Sequence, residues 1–215
     1  VVSLLIRILT VYFIKDTYIE HEWNILLNNL IEHKSYSLRS FNGELVPSAL
    51  MPPMYAFFLY FIQVISFLKT SYFLYLVFFI QIVLSTYSVY LFYQINQNFF
   101  SNKFAIINSF IFSIIPLNIY MCGQISSANI QLFLSLLFLK LLFLLVKNET
   151  QKNIIFFSIV CGLLILARGE FVIIFILTLF FIFIGKKINI INLIKIIITV
   201  FLVISPYVIR NYIHF

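Results

Sequence analysis

Runs that are apolar on every face constrain this chain more than any other feature. The stretch IQLFLSLLFLKLLFLL at 130–145 leaves no polar side at a period of two or of 3.6 residues. A transmembrane β-strand alternates towards a polar lumen, so such a run argues against a barrel. A surface helix of a soluble domain needs a polar face, which is also missing. What remains is an α-helix in a bilayer, where the backbone satisfies its own polar groups within the segment. Comparable runs of roughly 15–23 residues predict helices at about 1–14, 54–68, 71–93, 104–120, 127–146, 153–167, 170–185 and 189–208. Composition agrees: 63% of residues are hydrophobic and 10% charged, with mean hydropathy +1.08, which excludes an ordinary soluble domain. The expected fold is an all-α, polytopic membrane bundle, one domain over 1–215 with about seven spans.

The segment 54–68 is short for a span, and Pro52-Pro53 would start it as a helix. The lysines decide its placement. If it does not cross and the first span runs outward, Lys103, Lys147, Lys152, Lys186 and Lys187 all fall on the cytoplasmic side, as the positive-inside rule requires. The 15–55 loop, the turn at 123–127, the Arg168-Gly169-Glu170 break and Arg210 then face outward. The same rule explains the net charge of +7 without nucleic acid as a partner. The first run lacks the basic start and small-residue cleavage site of a signal peptide. The start at Val1 reads the chain as a fragment whose C-terminal part is missing. Cys122 and Cys161 have no metal or redox spacing, and His21, His33 and His214 form no ligand pattern.

Five of the seven carboxylates, Asp16, Glu20, Glu22, Glu32 and Glu44, gather in the 15–55 loop. Within it, residues 19–32 have helical spacing, with Ile19, Trp23, Leu26, Leu27 and Leu30 as the apolar stripe. At 100° per residue Glu20 and Glu22 flank that stripe on opposite sides. A surface helix lying on the bilayer and anchored by Trp23 is the bland alternative. The following 36–53 stretch reads as a turn-rich connection. Arg168 and Glu170 interrupt two apolar runs, and Arg210 and Asn211 close the last one. Ionisable groups at such depths face a cavity or a partner, or else snorkel to the interface. Arginines around one outward cavity suit a phosphate-bearing ligand. Arg7 and Lys140 carry less weight, and Gln124, Ser126, Ser127 and Asn129 read as a capped helix start.

The order of these motifs resembles the GT-C class of polyprenyl-phosphate-sugar-dependent glycosyltransferases, in the branch of protein O-mannosyltransferases, aminoarabinose transferases and lipopolysaccharide sugar transferases. The matching elements are Ile19-Glu20-His21-Glu22-Trp23, Pro52-Pro53-Met54-Tyr55, Leu166-Ala167-Arg168-Gly169-Glu170 and Pro206-Tyr207-Val208-Ile209-Arg210-Asn211-Tyr212. The resemblance implies an inverting transfer to an acceptor hydroxyl of a lipid, glycan or protein. The site would face the periplasm or exterior of a bacterial inner membrane. It further implies a base among Glu20, Asp16 and Glu22, with Arg168, Glu170, Arg210, Tyr55 and His21 binding substrate. The family places an Asp-Glu pair ahead of the helix, and here Ile19 occupies the first position. A divalent metal serves some relatives and not others, and no ligand cluster in this sequence decides it. Two rival readings are a transporter or flippase of a lipid-linked sugar, and an inactive structural relative.

Overall fold

The structure is a computed structural model that describes residues 1–19, 21–39, 42–67, 70–185 and 187–215, with only the backbone for His21, Arg39, Thr70 and Ser71. The order along the chain is α1 (Val2–Ile14), α2 (His21–Glu32), β1 (Ser37–Arg39), β2 (Leu45–Pro47), α3 (Pro53–Ile65), α4 (Thr70–Asn96), α5 (Asn102–Ile114) and α6 (Pro116–Tyr120). A 3-10 turn at Met121–Gly123 leads to α7 (Ala128–Lys147), α8 (Gln151–Ala167), α9 (Phe171–Ile184) and α10 (Ile190–His214). The all-α expectation holds. The turn-rich connection contains one small addition, an antiparallel β1–β2 hairpin with Leu38 opposite Val46.

Among the described residues three helices are long and apolar enough to cross a membrane: Tyr72–Asn96, Ala128–Lys147 and Ile190–His214. A fourth is obtained if Asn102–Ile114 and Pro116–Gly123, bent by 60°, count as one span. The expected spans at 1–14, 153–167 and 170–185 form helices of 13, 17 and 14 residues. These fall short of the ~20 residues that cross a hydrocarbon core untilted. The segment expected not to cross forms the 13-residue helix α3, with Pro53 in its first turn as predicted. The expected helix at 104–120 breaks at Ile115, because Pro116 cannot donate into the preceding turn. At its N-terminus α10 is capped by the Asn189 side chain, which accepts from Ile191 N at 3.1 Å. Glu149 reinforces that end, accepting from Asn189 N at 2.7 Å and Asn192 Nδ2 at 2.8 Å. A carboxylate there complements the positive end of the helix dipole.

The core forms where α8 packs between α7 and α10, α7 packs on α4, and α4 carries α5 and α1. Phe157, Leu164, Ile196, Leu145 and Val77 fill it. The α2 stripe is buried as its spacing predicts, but against protein. Trp23 is 5% exposed and meets Tyr55 edge-on at 5.1 Å, so it does not anchor a helix lying free on a bilayer. Ile19 lies outside the helix and pairs with Ile125 in a parallel bridge. Most of α9 and α10 presents bare Phe, Ile and Leu outward.

The closest approach of α8 and α10 depends on Gly162, where a Cβ would stand 2.6 Å from Val203 Cγ1 and 2.7 Å from Val203 Cβ. Gly162→Ala is expected to cost roughly 1–3 kcal/mol by overpacking. Thermal unfolding in detergent reads the loss, and the cost is smaller in a chain that also carries Val203→Gly.

Candidate functional site

Two side chains hold the acid-rich loop over the bundle. Asn29, buried in α2, donates from Nδ2 to the Ser37 carbonyl at 2.7 Å and so ties the helix to the hairpin. Its own carbonyl accepts from His33 N at 3.0 Å and Ser35 N at 3.3 Å, which closes the helix end around Lys34 at φ 54°. A left-handed residue at this position is usually Gly, and here it is a lysine. Arg210 approaches from α10. Its Nη1 donates to the Ser48 carbonyl at 2.6 Å and to Asn211 Oδ1 at 2.7 Å, and its Nη2 donates to the Tyr36 carbonyl. The same guanidinium lies 5.3 Å from the Tyr36 ring centre. The Tyr36 hydroxyl donates to the Met51 carbonyl at 2.8 Å. Burial pushes the Tyr36 phenol above the ordinary tyrosine range, Tyr207 adds to this and Arg210 opposes it.

Two cavities open beneath the loop. The larger, about 580 Å³, has apolar walls that include Phe57, Leu163, Leu166 and Val203, and carries Lys34, Arg210 and His214. The smaller, about 320 Å³, is lined by Trp23, Met51, Pro52, Ser127, Gln131, Ala167 and Arg168. They adjoin through shared walls. Pro53 lines one and Pro52 the other, Leu166 one and Ala167 the other, and α2 contributes Leu30 and Trp23 respectively. At the mouth of the smaller cavity Arg168 Nε pairs with Glu170 Oε2 at 2.9 Å, both side chains more than half exposed. Water screens such a pair heavily, so it fixes little by itself.

Both arginines therefore meet the loop, but in two neighbouring cavities instead of one. Asp16 is exposed, and its Oδ1 accepts from Tyr18 N at 2.9 Å. Glu22 is exposed in the first turn of α2, and neither it nor Asp16 lines a cavity. Glu20 and the His21 side chain lie outside the described residues. Tyr55 is 2% exposed and packs between Trp23 and Phe58, which is the place of a core residue. The Ser127 side chain makes no cap bond with α7 and instead accepts from Gln131 Nε2 at 2.9 Å, while Asn129 Nδ2 reaches across to the Gln81 carbonyl at 2.8 Å. The capping expectation is thus replaced by a tie between α7 and α4. Sequence reasoning missed Lys34 and His214. The only signal for Lys34 was a helix ending without Gly or Asn. Among the described residues no group of three or more His, Cys, Asp or Glu side chains is placed to hold a metal.

Compared with protein-family models, curated proteins and solved structures, the chain shows no match. Fold and site together define an all-α chain with membrane-length apolar helices and a tethered, acid-rich loop over paired cavities.

Arg210→Met is expected to lower stability by about 2–3 kcal/mol, since charge-assisted bonds to two carbonyls go together, and to speed limited proteolysis within 37–50. Arg210→Lys recovers only part, because a point cation cannot fork between two acceptors. The raised Tyr36 pKa adds a pH dependence. The folded state keeps that proton longer than the unfolded chain, so the stability it contributes is full below about pH 10 and falls as pH rises beyond it. Unfolding of Tyr36→Phe followed from pH 8 upward should show a shallower alkaline decline than the parent chain.

Proposed function

We propose that this chain is an inverting membrane glycosyltransferase of the GT-C type. It would move a sugar from a polyprenyl-phosphate donor to an acceptor hydroxyl at the outer face of a bacterial inner membrane. The pair of adjoining cavities carries this reading. A donor with a long apolar tail, a phosphate and a sugar needs a greasy slot beside a polar one, with cations near the junction. The larger cavity supplies apolar walls, and the smaller supplies Ser127, Gln131 and Arg168. Arg210 spends its donors on loop carbonyls. Lys34 and Arg168 are therefore the cations better placed to meet the phosphate, and Arg210 shapes the cavity they serve.

The chemistry needs a carboxylate to take the acceptor proton as the hydroxyl oxygen attacks the anomeric carbon. The bond from that carbon to the phosphate oxygen breaks on the opposite face, which inverts the centre, and the phosphate leaves with its charge met by a cation. Glu20 heads the candidates for the base because it stands three residues ahead of Trp23, a cavity-lining residue. Asp16 and Glu22 complete the set.

One observation favours a transporter of lipid-linked sugar as the second reading. The 60° break between α5 and α6 is the kind of interrupted span that transporters place at their sites. Transport without transfer in proteoliposomes would select it.

Transfer of radiolabelled sugar from a polyprenyl-phosphate donor tests the main reading. At least one of Asp16→Asn, Glu20→Gln and Glu22→Gln is expected to lower the rate by about 10²–10⁴-fold, the usual worth of a general base. Transfer that survives all three changes sinks the proposal.

A further inference from the structure

Arg7 is fully buried near the middle of α1 and takes no part in either cavity. Among the described residues no carboxylate pairs with it, and it is held by neutral oxygens alone. Its Nε donates to Ser85 Oγ on α4 at 2.6 Å, and its Nη1 donates to Ser3 Oγ at 2.7 Å, the Ser3 carbonyl at 3.1 Å and the Ser113 carbonyl at 3.3 Å. A buried charge without a counter-charge is costly, so its use must lie in which acceptors it joins.

One of those acceptors, the Ser113 carbonyl, lies at the break between α5 and α6. Pro116 has no N–H, so the Phe112 carbonyl, four residues earlier, loses its helical donor. The Asn118 side chain replaces it, Nδ2 to Phe112 O at 3.3 Å, and Arg7 takes the neighbouring Ser113 carbonyl. Ser85, already bound to Arg7, donates onward to the Asn118 carbonyl at 3.4 Å. Arg7 thus joins α1 to α4 and to the first half of the broken span, and Ser85 carries the link on to the second half.

Beyond the break the chain reaches the candidate site. The Gly123 carbonyl accepts from Asp16 N at 2.9 Å, and Ile125 bridges Ile19. Ser127 and Gln131, further along, line the smaller cavity. We infer that Arg7 is a positioning residue: it clasps the α5–α6 break and thereby sets the 121–131 segment that docks the start of the acidic loop and walls the polar cavity. This role goes beyond the transfer reading, and its test needs no transfer.

The two free cysteines report on it. Cys122 is buried in the segment held by the clasp, and Cys161 is buried in α8. Alkylation of the full chain in detergent by N-ethylmaleimide is followed at each cysteine by mass spectrometry. Arg7→Met is expected to speed Cys122 by about tenfold or more, the effect on local opening of losing a charge-assisted bond, and to leave Cys161 unchanged. Arg7→Lys, which keeps the charge and one donor nitrogen, restores most of the protection. Unchanged Cys122 in Arg7→Met overturns the inference. If Arg7→Met exposes both cysteines the variant has unfolded, and Asn118→Ala, a milder cut in the same clasp, decides. Selective exposure of Cys122 there upholds the inference, and equal or absent exposure overturns it. Transfer that survives Asp16→Asn, Glu20→Gln and Glu22→Gln would remove the enzyme reading and leave Arg7's role, which is read from the cysteines alone, intact.

Discussion

Carbonyl groups that regular structure cannot pair are the constraint on which this architecture turns. In hydrocarbon an unpaired backbone group costs several kcal/mol, which is why helices dominate. At two places where this chain departs from a helix, side-chain donors compensate. Pro116 strands the Phe112 carbonyl, which Asn118 takes, and Arg7 takes the neighbouring Ser113 carbonyl at the same break. At the hairpin over the bundle Asn29 takes the Ser37 carbonyl and Arg210 takes the Ser48 carbonyl, and Arg210 adds a second donor to the Tyr36 carbonyl, which already accepts from Ser48 N at 3.2 Å. Two arginines that stand out as costly in a greasy sequence are, in the fold, the staples of its two irregular regions.

The same constraint explains what could be read from the sequence and what could not. Periodicity located α2, and its stripe of Trp23, Leu26, Leu27 and Leu30 is buried as the spacing requires. Proline chemistry located the start of α3. Run length was less informative, because α1, α8 and α9 look like spans in composition yet stop short of span length. Sequence alone could show that Arg7 and Arg210 were expensive, but not what they were for. Beside the local Ser3 and Asn211, their acceptors lie 78 and 106 residues away for Arg7, and 162 and 174 away for Arg210. Donor identity is local information, whereas acceptor proximity belongs to the tertiary fold. Lys34 was illegible for the opposite reason: its significance lies in a backbone angle, φ 54°, where glycine is expected and a cation is found instead.

The loop and the cavities are coupled by the same staples. Arg210 holds Tyr36 and Ser48 from α10, and α10 also supplies Val203 and Pro206 to the larger cavity. Residues 121–131, held near the break, meet Asp16 and Ile19 on one side and face the smaller cavity on the other. The acidic loop is thus docked at both of its described ends, and its exposed carboxylates stand on a fixed frame. Preorganisation of this kind is what a base or a binding rim requires, because a group displaced by an ångström loses much of its effect.

The partition between the cavities shows how far this economy of polar groups extends. A thin wall separating an apolar slot from a polar one would normally expose backbone donors to the apolar side. Here the wall runs through Pro52 and Pro53, which have no backbone N–H. The carbonyl just before them, Met51, is taken by the Tyr36 hydroxyl. Tyr36 in turn sits under Arg210 and stacks on Phe57, a wall of the larger cavity. At the two prolines the partition therefore offers no backbone donor to either face. A Pro-Pro pair that reads in sequence as a helix start serves in the fold as an insulating seam, and the Arg210–Tyr36 stack holds that seam in place.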